Sequence, residues 1–295
     1  MSFPIDIHDL SEEDFKKLPL VIEGESKEVR YAGEGKVVIR FKPTIYSYTA
    51  NRCGVVEGSG KLRLRASKRF VQVLAKAGIK HAYRDVSEDW VLADLILQPL
   101  SGAVPEPFRP DDMSSEEIDS LLFAPPIEVI VKRMHSGTSK HRYFAMSGFP
   151  VRKSHPLFAG VAFGADDAYP LPIVRFDWRN PIKAPDGKRL ADEILPESIA
   201  DWYIDVKKAE QTALKVYETM TEFLGELDVV CYDLCLFITE DGETVFGEIS
   251  QDCGRYRHFD LGSLDKDVWR AGGSSEQVLE KWQLLAEILE GGKSA

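Results

Sequence analysis

The chain has 295 residues, 44% hydrophobic and 29% charged, the composition of a folded protein and not of a disordered one. At roughly 150 residues per domain, that length suggests one large or two modest domains. Its 37 basic and 48 acidic residues leave a formal charge of −11, which argues against a general nucleic-acid binder but leaves room for a small anion in a local basic pocket.

Residues 1–17 read as a polar lead-in, 18–100 as a β-rich lobe, 101–126 as a Pro- and Ser-rich connecting excursion, and 127–295 as a larger α+β lobe. From Leu18 the runs LPLVIEG, KEVRYA and KVVIRFK predict strands, with Gly33-Glu34-Gly35 as a turn. Ser67 predicts the N-cap of a helix ending near Gly78, with Phe70, Val71, Leu74 and Ala75 at helical spacing. Trp90 to Leu97 and IEVIVKRM (127–134) read as buried strands. The apolar stripe Trp202, Val206, Ala209, Ala213, Val216, Tyr217, Met220 and Leu224 predicts a long helix over 201–225. VVCYDLCLFI, a turn at Asp241-Gly242, and TVFGEIS then predict a hairpin, and a terminal helix covers 274–290. Separate helices and antiparallel hairpins make the class α+β.

No apolar run reaches the roughly 18 residues of a membrane span, and the acidic Ser11-Glu12-Glu13-Asp14 is unlike the basic start of a signal peptide. The expected compartment is the cytosol. Cys231 and Cys235 are expected on one face of a strand, with Cys253 a hairpin away. Without further closely spaced ligands, they read as buried, reduced thiols rather than a zinc site.

Five segments carry candidate chemistry. Between two strands, the bare backbone at Gly24 can lay N–H groups over phosphates that Lys27 neutralises; an exposed hairpin of ordinary charge would use the same residues. Lys61-Leu62-Arg63-Leu64-Arg65, read as extended, puts three cations on one side, as an anion-facing wall or a charge-defended edge strand. Glu128 lies inside an apolar strand, where a carboxylate is costly unless paired or metal-bound. Gly137-Thr138, backed by Lys132 and Arg142, forms a phosphate seat, and His135 and His141 read as loop residues that nothing orients. In the hairpin, a two-residue turn sets Asp233 opposite Ser250, Cys235 opposite Glu248 and Phe237 opposite Phe246. Asp233 and Glu248 then share a face as oxygen ligands for Mg²⁺; a slip of one residue or a solvent-facing sheet would undo this. Finally, Arg255 and Arg270 come from separate segments and can clamp one anion.

Taken in order, these pieces resemble the SAICAR synthetase family of ATP-dependent ligases. The family's Y-E-G-K-x-K is similar to Ile22–Lys27, and its E-G-K-G with a following serine is similar to Glu57-Gly58-Ser59-Gly60 and Ser67. Its P-L-E-V-V-V-R-N-x-x-x-G-S-x-x-K-R resembles Pro126–Arg142, its D-E-I-S-P-D-x-x-R resembles Gly247–Arg255, and its D-K-D-x-x-R resembles Asp265–Arg270. The resemblance spans about residues 20–290. It implies an ATP-grasp-related, two-lobed fold with ATP between the lobes, and ATP and Mg²⁺ as cofactors. Lys27 and Gly24 would meet the ATP phosphates, and Glu128 the substrate carboxylate. Lys132, Thr138, Arg255 and Arg270 would hold the ribose phosphate, with Arg142 backing the same seat, and Glu248 and Asp233, paired by the hairpin register, would stand in for the family's missing metal ligands. Asp233 is also the candidate base.

Several family positions are rewritten. The first motif lysine is Glu25, the loop lysine is Ser59, and the first acid of D-E-I-S is Gly247. The lysine and glutamate of D-x-K-x-E are Cys235 and Phe237, and the D-P before the long helix is most like Asn180-Pro181. These changes imply a divergent paralogue in specialised, nucleoside-type metabolism that joins a phosphorylated azole carboxylate, or a similar acid, to an amine. A non-catalytic nucleotide- or azole-binding homologue is the second reading, and the housekeeping purine enzyme the third. The expected partners are small-molecule acid and amine substrates, not nucleic acid or membrane, with room for a homo-oligomer.

Overall fold

The computed structural model describes residues 5–47, 52–97, 108–135, 148–164, 166–179 and 192–291. Within the N-terminal lead-in, Ser11 accepts a hydrogen bond from the Asp14 N–H and starts helix α1 (Glu12–Lys17). Its Phe15 is wholly buried and stacks on Trp90 at 4.4 Å. Strands β1 (Leu20–Glu23), β2 (Lys27–Gly33) and β3 (Lys36–Phe41) follow as a meander. The β2–β3 turn passes through Gly33, Glu34 and Gly35, all at positive φ. Strands β4 (Thr44–Ser47) and β5 (Arg52–Val55) form a separate ribbon.

Helix α2 (Ser59–Lys76) corrects two expectations. It begins at Ser59, eight residues before Ser67, with Gly58 as its N-cap, so Ser67 is a buried mid-helix residue and Lys61–Arg65 is helical, not extended. Five alternating residues are too few to tell the two periods apart when a helix is covered on more than one side. Leu62 packs with Trp269, Val278 and Trp282, whereas Leu64 joins the main core. Gly60 is required here, because a Cβ would lie 2.7 Å from the Phe41 carbonyl oxygen.

Strands β6 (Tyr83–Val86) and β7 (Val91–Asp94) complete a five-stranded antiparallel sheet in the order β1-β2-β3-β7-β6. After the short helix α3 (Ser115–Asp119) come β8 (Ile127–Met134), β9 (Ala168–Trp178), β10 (Glu193–Ile194) and α4 (Glu197–Ala200). The long helix α5 (Val206–Gly225) starts five residues later than expected. Asp205 caps it by accepting from the Lys208 N–H, and Trp202 lies outside the stripe, 73% exposed. Strands β11 (Val229–Ile238), β12 (Val245–Phe246), β13 (Gly254–His258) and β14 (Gly262–Ser263) precede helices α6 (Asp267–Arg270) and α7 (Ser275–Leu289). The second sheet runs β10-β9-β8-β11-β13-β14, with β12 on β11. A parallel bridge between His81 and Val245 ties the sheets together, and one apolar cluster draws on both. Among the described residues, no helix is long and apolar enough to cross a membrane.

The hairpin starts in the expected register, Phe237 facing Phe246, but does not continue. At Gly247 the backbone turns to φ 74, and residues 247–253 leave the sheet before the chain returns beside β11 as β13. Asp233 therefore faces Arg255 rather than Ser250, and Glu248 is not across from Cys235. A bulge between Cys231 and Asp233 also moves the alternation by one residue. Val229, Cys231, Leu234, Leu236 and Ile238 pack in the core, which leaves Asp233, Cys235 and Phe237 on the other face. Cys231 and Cys235 thus lie on opposite faces.

Candidate active site

The face of the second sheet away from α5 is built by alternation. In β8, Ile127, Val129 and Val131 enter the core, so Glu128, Ile130 and Lys132 point the other way. The register then sets side chains in rows: Lys132 beside Asp233 and Arg255, Ile130 between Arg175 and Cys235, and Glu128 beside Asp177. Lys132, Arg175, Asp177 and Asp233 are all buried. Charges so far from water persist only when they neutralise one another.

At one end they do so in a continuous lattice. Lys132 Nζ is 3.7 Å from Asp233 Oδ2, which also accepts from Arg255 Nη1. Arg255 Nε reaches Asp267 at 3.8 Å, and Arg270 and Arg257 both donate to Asp267. Asp265, fully buried, accepts from Arg257 and from the backbone N–H groups of Tyr256 (2.9 Å) and Asp267 (2.7 Å). Burial and the neighbouring Asp267 push the Asp265 carboxyl above its usual range. Burial also acts to raise Asp267, but Arg270, Arg257 and Arg255 overcome it and hold that carboxyl low. Burial lowers the Lys132 ammonium against the pull of Asp233. Lys132, Asp233, Arg255 and Arg270 are thus brought together, with the two arginines converging on Asp267.

The other end of the same face is looser. Phe237 follows Asp233 and Cys235 at alternate positions, so it lies about 13 Å along β11 from Asp233 at roughly 3.3 Å per residue. Lys27 Nζ stands 5.8 Å from its ring centroid and Arg179 Cζ 4.8 Å. Glu248 sits close by, with Lys27 Nζ 3.7 Å from Oε2 and Arg63 Nε 3.6 Å from Oε1, while the Ser250 hydroxyl donates to Oε1 at 2.6 Å. Burial acts to raise the Glu248 carboxyl, but Arg63, Lys27 and Ser250 bring it below the ordinary value. Burial lowers the Lys27 ammonium. Gly24 is exposed and its N–H is used on Lys27 O at 2.8 Å, closing the β1–β2 turn rather than lying open to a phosphate. Thr138, Arg142 and Asn180-Pro181 lie outside the described residues.

The profile of the family described as SAICAR synthetase matches residues 20–285. The chain belongs to the SAICAR synthetase family. It is 26% identical over 92% of its length to the bifunctional cordycepin biosynthesis cluster protein 3 of Cordyceps militaris, of which it spans 33%. It is also 26% identical to the phosphoribosylaminoimidazole-succinocarboxamide synthase of Methanocaldococcus jannaschii, over 94% of this chain and 97% of that one. Among solved structures, a type-2 SAICAR synthetase in complex with ADP shares the fold at a TM-score of 0.66 and 23% identity, covering 94% of this chain and 100% of that chain. The Ehrlichia chaffeensis synthase does so at a TM-score of 0.68 and 18% identity, with the same coverage. The α+β class and the SAICAR synthetase-like fold are those expected.

The hairpin register called for Mg²⁺ on Asp233 and Glu248, in place of the family acids that are missing here, and the side chains do not fit it. They belong to separate clusters, and each carboxylate is already flanked by two cations. A unit charge about 4 Å from another feels roughly 4 kcal/mol at an effective dielectric of about 20, and a divalent ion would double that repulsion from each neighbour. Among the described residues, no group of three His, Cys, Asp or Glu side chains is placed to hold a metal ion.

Four polar residues of this face escape a reading of single segments. Arg175 and Asp177, joined at 2.7 Å, carry the same signal as Glu128 and Lys132, charges at alternate positions of an apolar strand, and could have been found from it. Asp267 lies inside the Asp265–Arg270 motif but only the fold shows that it gathers three arginines. Arg63 was masked by the extended reading of its segment. His135, expected as an unoriented loop residue, is buried with its Nδ1 2.7 Å from the Tyr169 hydroxyl.

Proposed function

We propose that the chain is an ATP-dependent carboxylate–amine ligase acting on a phosphorylated azole carboxylate or a similar acid, in specialised nucleoside-type metabolism. The observation that carries this reading is the pair of cationic centres about 13 Å apart on one sheet face, Lys27 at Phe237 and Lys132 with Arg255 and Arg270. One end suits the nucleotide phosphates and the other a sugar phosphate. The relatives' names and the ADP-bound neighbour support the assignment, and the cordycepin-cluster relative supports specialised metabolism.

In this reaction an oxygen of the substrate carboxylate attacks the γ-phosphorus of ATP, and ADP leaves. The amine nitrogen then attacks the acyl phosphate carbon, loses a proton and expels phosphate. The protein's part is alignment and charge neutralisation, as phosphoryl transfer requires. Lys27 neutralises the nucleotide, while Lys132, Arg255 and Arg270 exchange Asp267 and Asp233 contacts for those of the second phosphate. Asp233 is not cast as the base, because its carboxylate is spent on Arg255 and Lys132. Its role is to position them. Glu128, beside Asp177, lies where the reacting acid would pass between the two ends.

The test is ADP release on mixing the protein and ATP with a phosphoribosylated aminoimidazole carboxylate and a panel of amines. Release that needs both acid and amine is expected; absent or substrate-independent turnover across the panel overturns the ligase. Cys235 and Phe237, in place of a family lysine and glutamate, favour a second reading, a non-catalytic homologue that binds the nucleotide without turning it over. Tight ADP binding with no amide product across the panel would select it.

A further inference from the structure

Arg63, expected from the sequence only as part of an extended basic wall, has no part in the proposed reaction. It projects from α2 and is completely buried. Its Nη2 donates to two backbone carbonyls, Ser26 O at 3.0 Å and Lys42 O at 2.8 Å, and the guanidinium lies 4.9 Å over the Phe41 ring. Its Nε stands 3.6 Å from Glu248 Oε1, and neither Nε nor Nη1 has a hydrogen-bond partner among the described residues. A buried guanidinium tied on one edge to the main chain cannot swing aside when a ligand arrives. Its Nε, unspent and already facing Glu248, is a charge-assisted donor that the carboxylate can take.

We infer that Arg63 is a resident cation that replaces a divalent metal at Glu248, so that this cleft holds a nucleotide's phosphates through side-chain charges alone. The inference rests on the nucleotide reading of the Lys27 end. Lys27 is 3.7 Å from Glu248, too far for a hydrogen bond, and is not locked to it. A phosphate draws Lys27 toward itself, and Glu248 closes the remaining gap onto Arg63 Nε. Glu248 then offers no net negative charge to Mg²⁺, and the ligand binds as the free anion rather than as its magnesium complex. A Mg²⁺-bridged nucleotide would instead need Glu248 unpaired.

Two titrations on the full chain test this, one with Mn²⁺ as an EPR-visible metal probe and one with ADP by calorimetry. The wild type is expected to bind no Mn²⁺, and to bind ADP in EDTA within about threefold of its affinity in excess Mg²⁺. Arg63→Met is expected to gain a Mn²⁺ site that Glu248→Gln removes, and to need the metal for ADP by about tenfold or more. Arg63→Lys, which keeps the charge, is expected to stay without a Mn²⁺ site. Stoichiometric Mn²⁺ on the wild type that is lost in Glu248→Gln overturns the inference, as does ADP binding that collapses in EDTA. These wild-type and Glu248→Gln arms decide the matter even if Arg63→Met does not fold. Absence of ADP binding under both conditions overturns the nucleotide reading instead, and the Mn²⁺ titration still judges Arg63.

Discussion

The two ends of the charged sheet face use the same residue types to opposite effect. At the β13–α6 end, Arg255, Arg257 and Arg270 close on Asp233, Asp265 and Asp267 through direct charge-assisted hydrogen bonds. At the β2–α2 end, Lys27 and Arg63 stand off Glu248 at 3.7 and 3.6 Å. The first arrangement resists entry until a ligand matches the whole lattice, whereas the second has slack that a phosphate can use. A tally of basic residues along the chain cannot tell these apart, because it does not record how closely each cation meets its carboxylate.

The largest expected effect is on stability and belongs to the tight end. Asp265→Ala removes one of the two carboxylates that Arg257 and Arg270 share and takes the acceptor from the Tyr256 and Asp267 N–H groups, and should cost about 3 kcal/mol or more in a urea melt. A cost below about 1 kcal/mol would show that the lattice does not hold the fold. Next, Lys27→Met should weaken ADP binding by about tenfold or more while leaving the melt nearly unchanged, the reverse signature. Equal losses in both assays would erase the distinction between the ends.

A smaller effect appears with pH. Burial lowers the folded-state value of Lys27 below the ordinary 10.5, so between the two values the unfolded chain binds the extra proton. Stability is therefore expected to rise with pH through that window, and ADP binding to fall as the ammonium is lost. Comparing wild type with Lys27→Met isolates both slopes, and parallel curves would remove Lys27 as their source. The smallest effect is in thiol reactivity. Burial raises Cys235 well above its ordinary value, with Glu128 and Asp233 adding to it, and pushes Cys253 up to about 12 beside Glu248. The exposed Cys53 should react fastest with a thiol reagent at mildly alkaline pH, and Cys53→Ser should abolish the fast phase. Rapid labelling of Cys253 would show that the loose end opens further than its resting geometry.

Strand β8 is legible to the residue because an apolar run of Ile and Val, with Glu128 and Lys132 on the face opposite Val129 and Val131, allows few other structures. The Phe237–Phe246 pairing is legible because an Asp-Gly turn sets the register of what adjoins it. That influence ends at Gly247, where the excursion of residues 247–253 is dictated by packing against α2 and β6. The Tyr83 hydroxyl, from β6, donates to Gly247 O at 2.8 Å and accepts from the Ile249 N–H at 3.3 Å. The partners of Glu248 could not be read from spacing for the same reason. Arg63 depends on carbonyls of Ser26 and Lys42, which only the folded chain brings beside α2. The start of α2 was hidden because Lys61–Arg65 alternates like a strand, and nothing local reveals that α7 covers its second side.

The bulge in β11 gives chain length an unusual meaning there. Tyr232 is the supernumerary residue, with Cys231 facing Tyr256 and Asp233 already facing Arg255. Excising it would restore strict alternation and keep Asp233, Cys235 and Phe237 looking into the cleft. Losing any one residue from 234 to 236 would instead exchange the wet and greasy sides of everything beyond it. Deletions a few positions apart in one strand thus have unequal consequences, one absorbed and the others inverting the pocket wall.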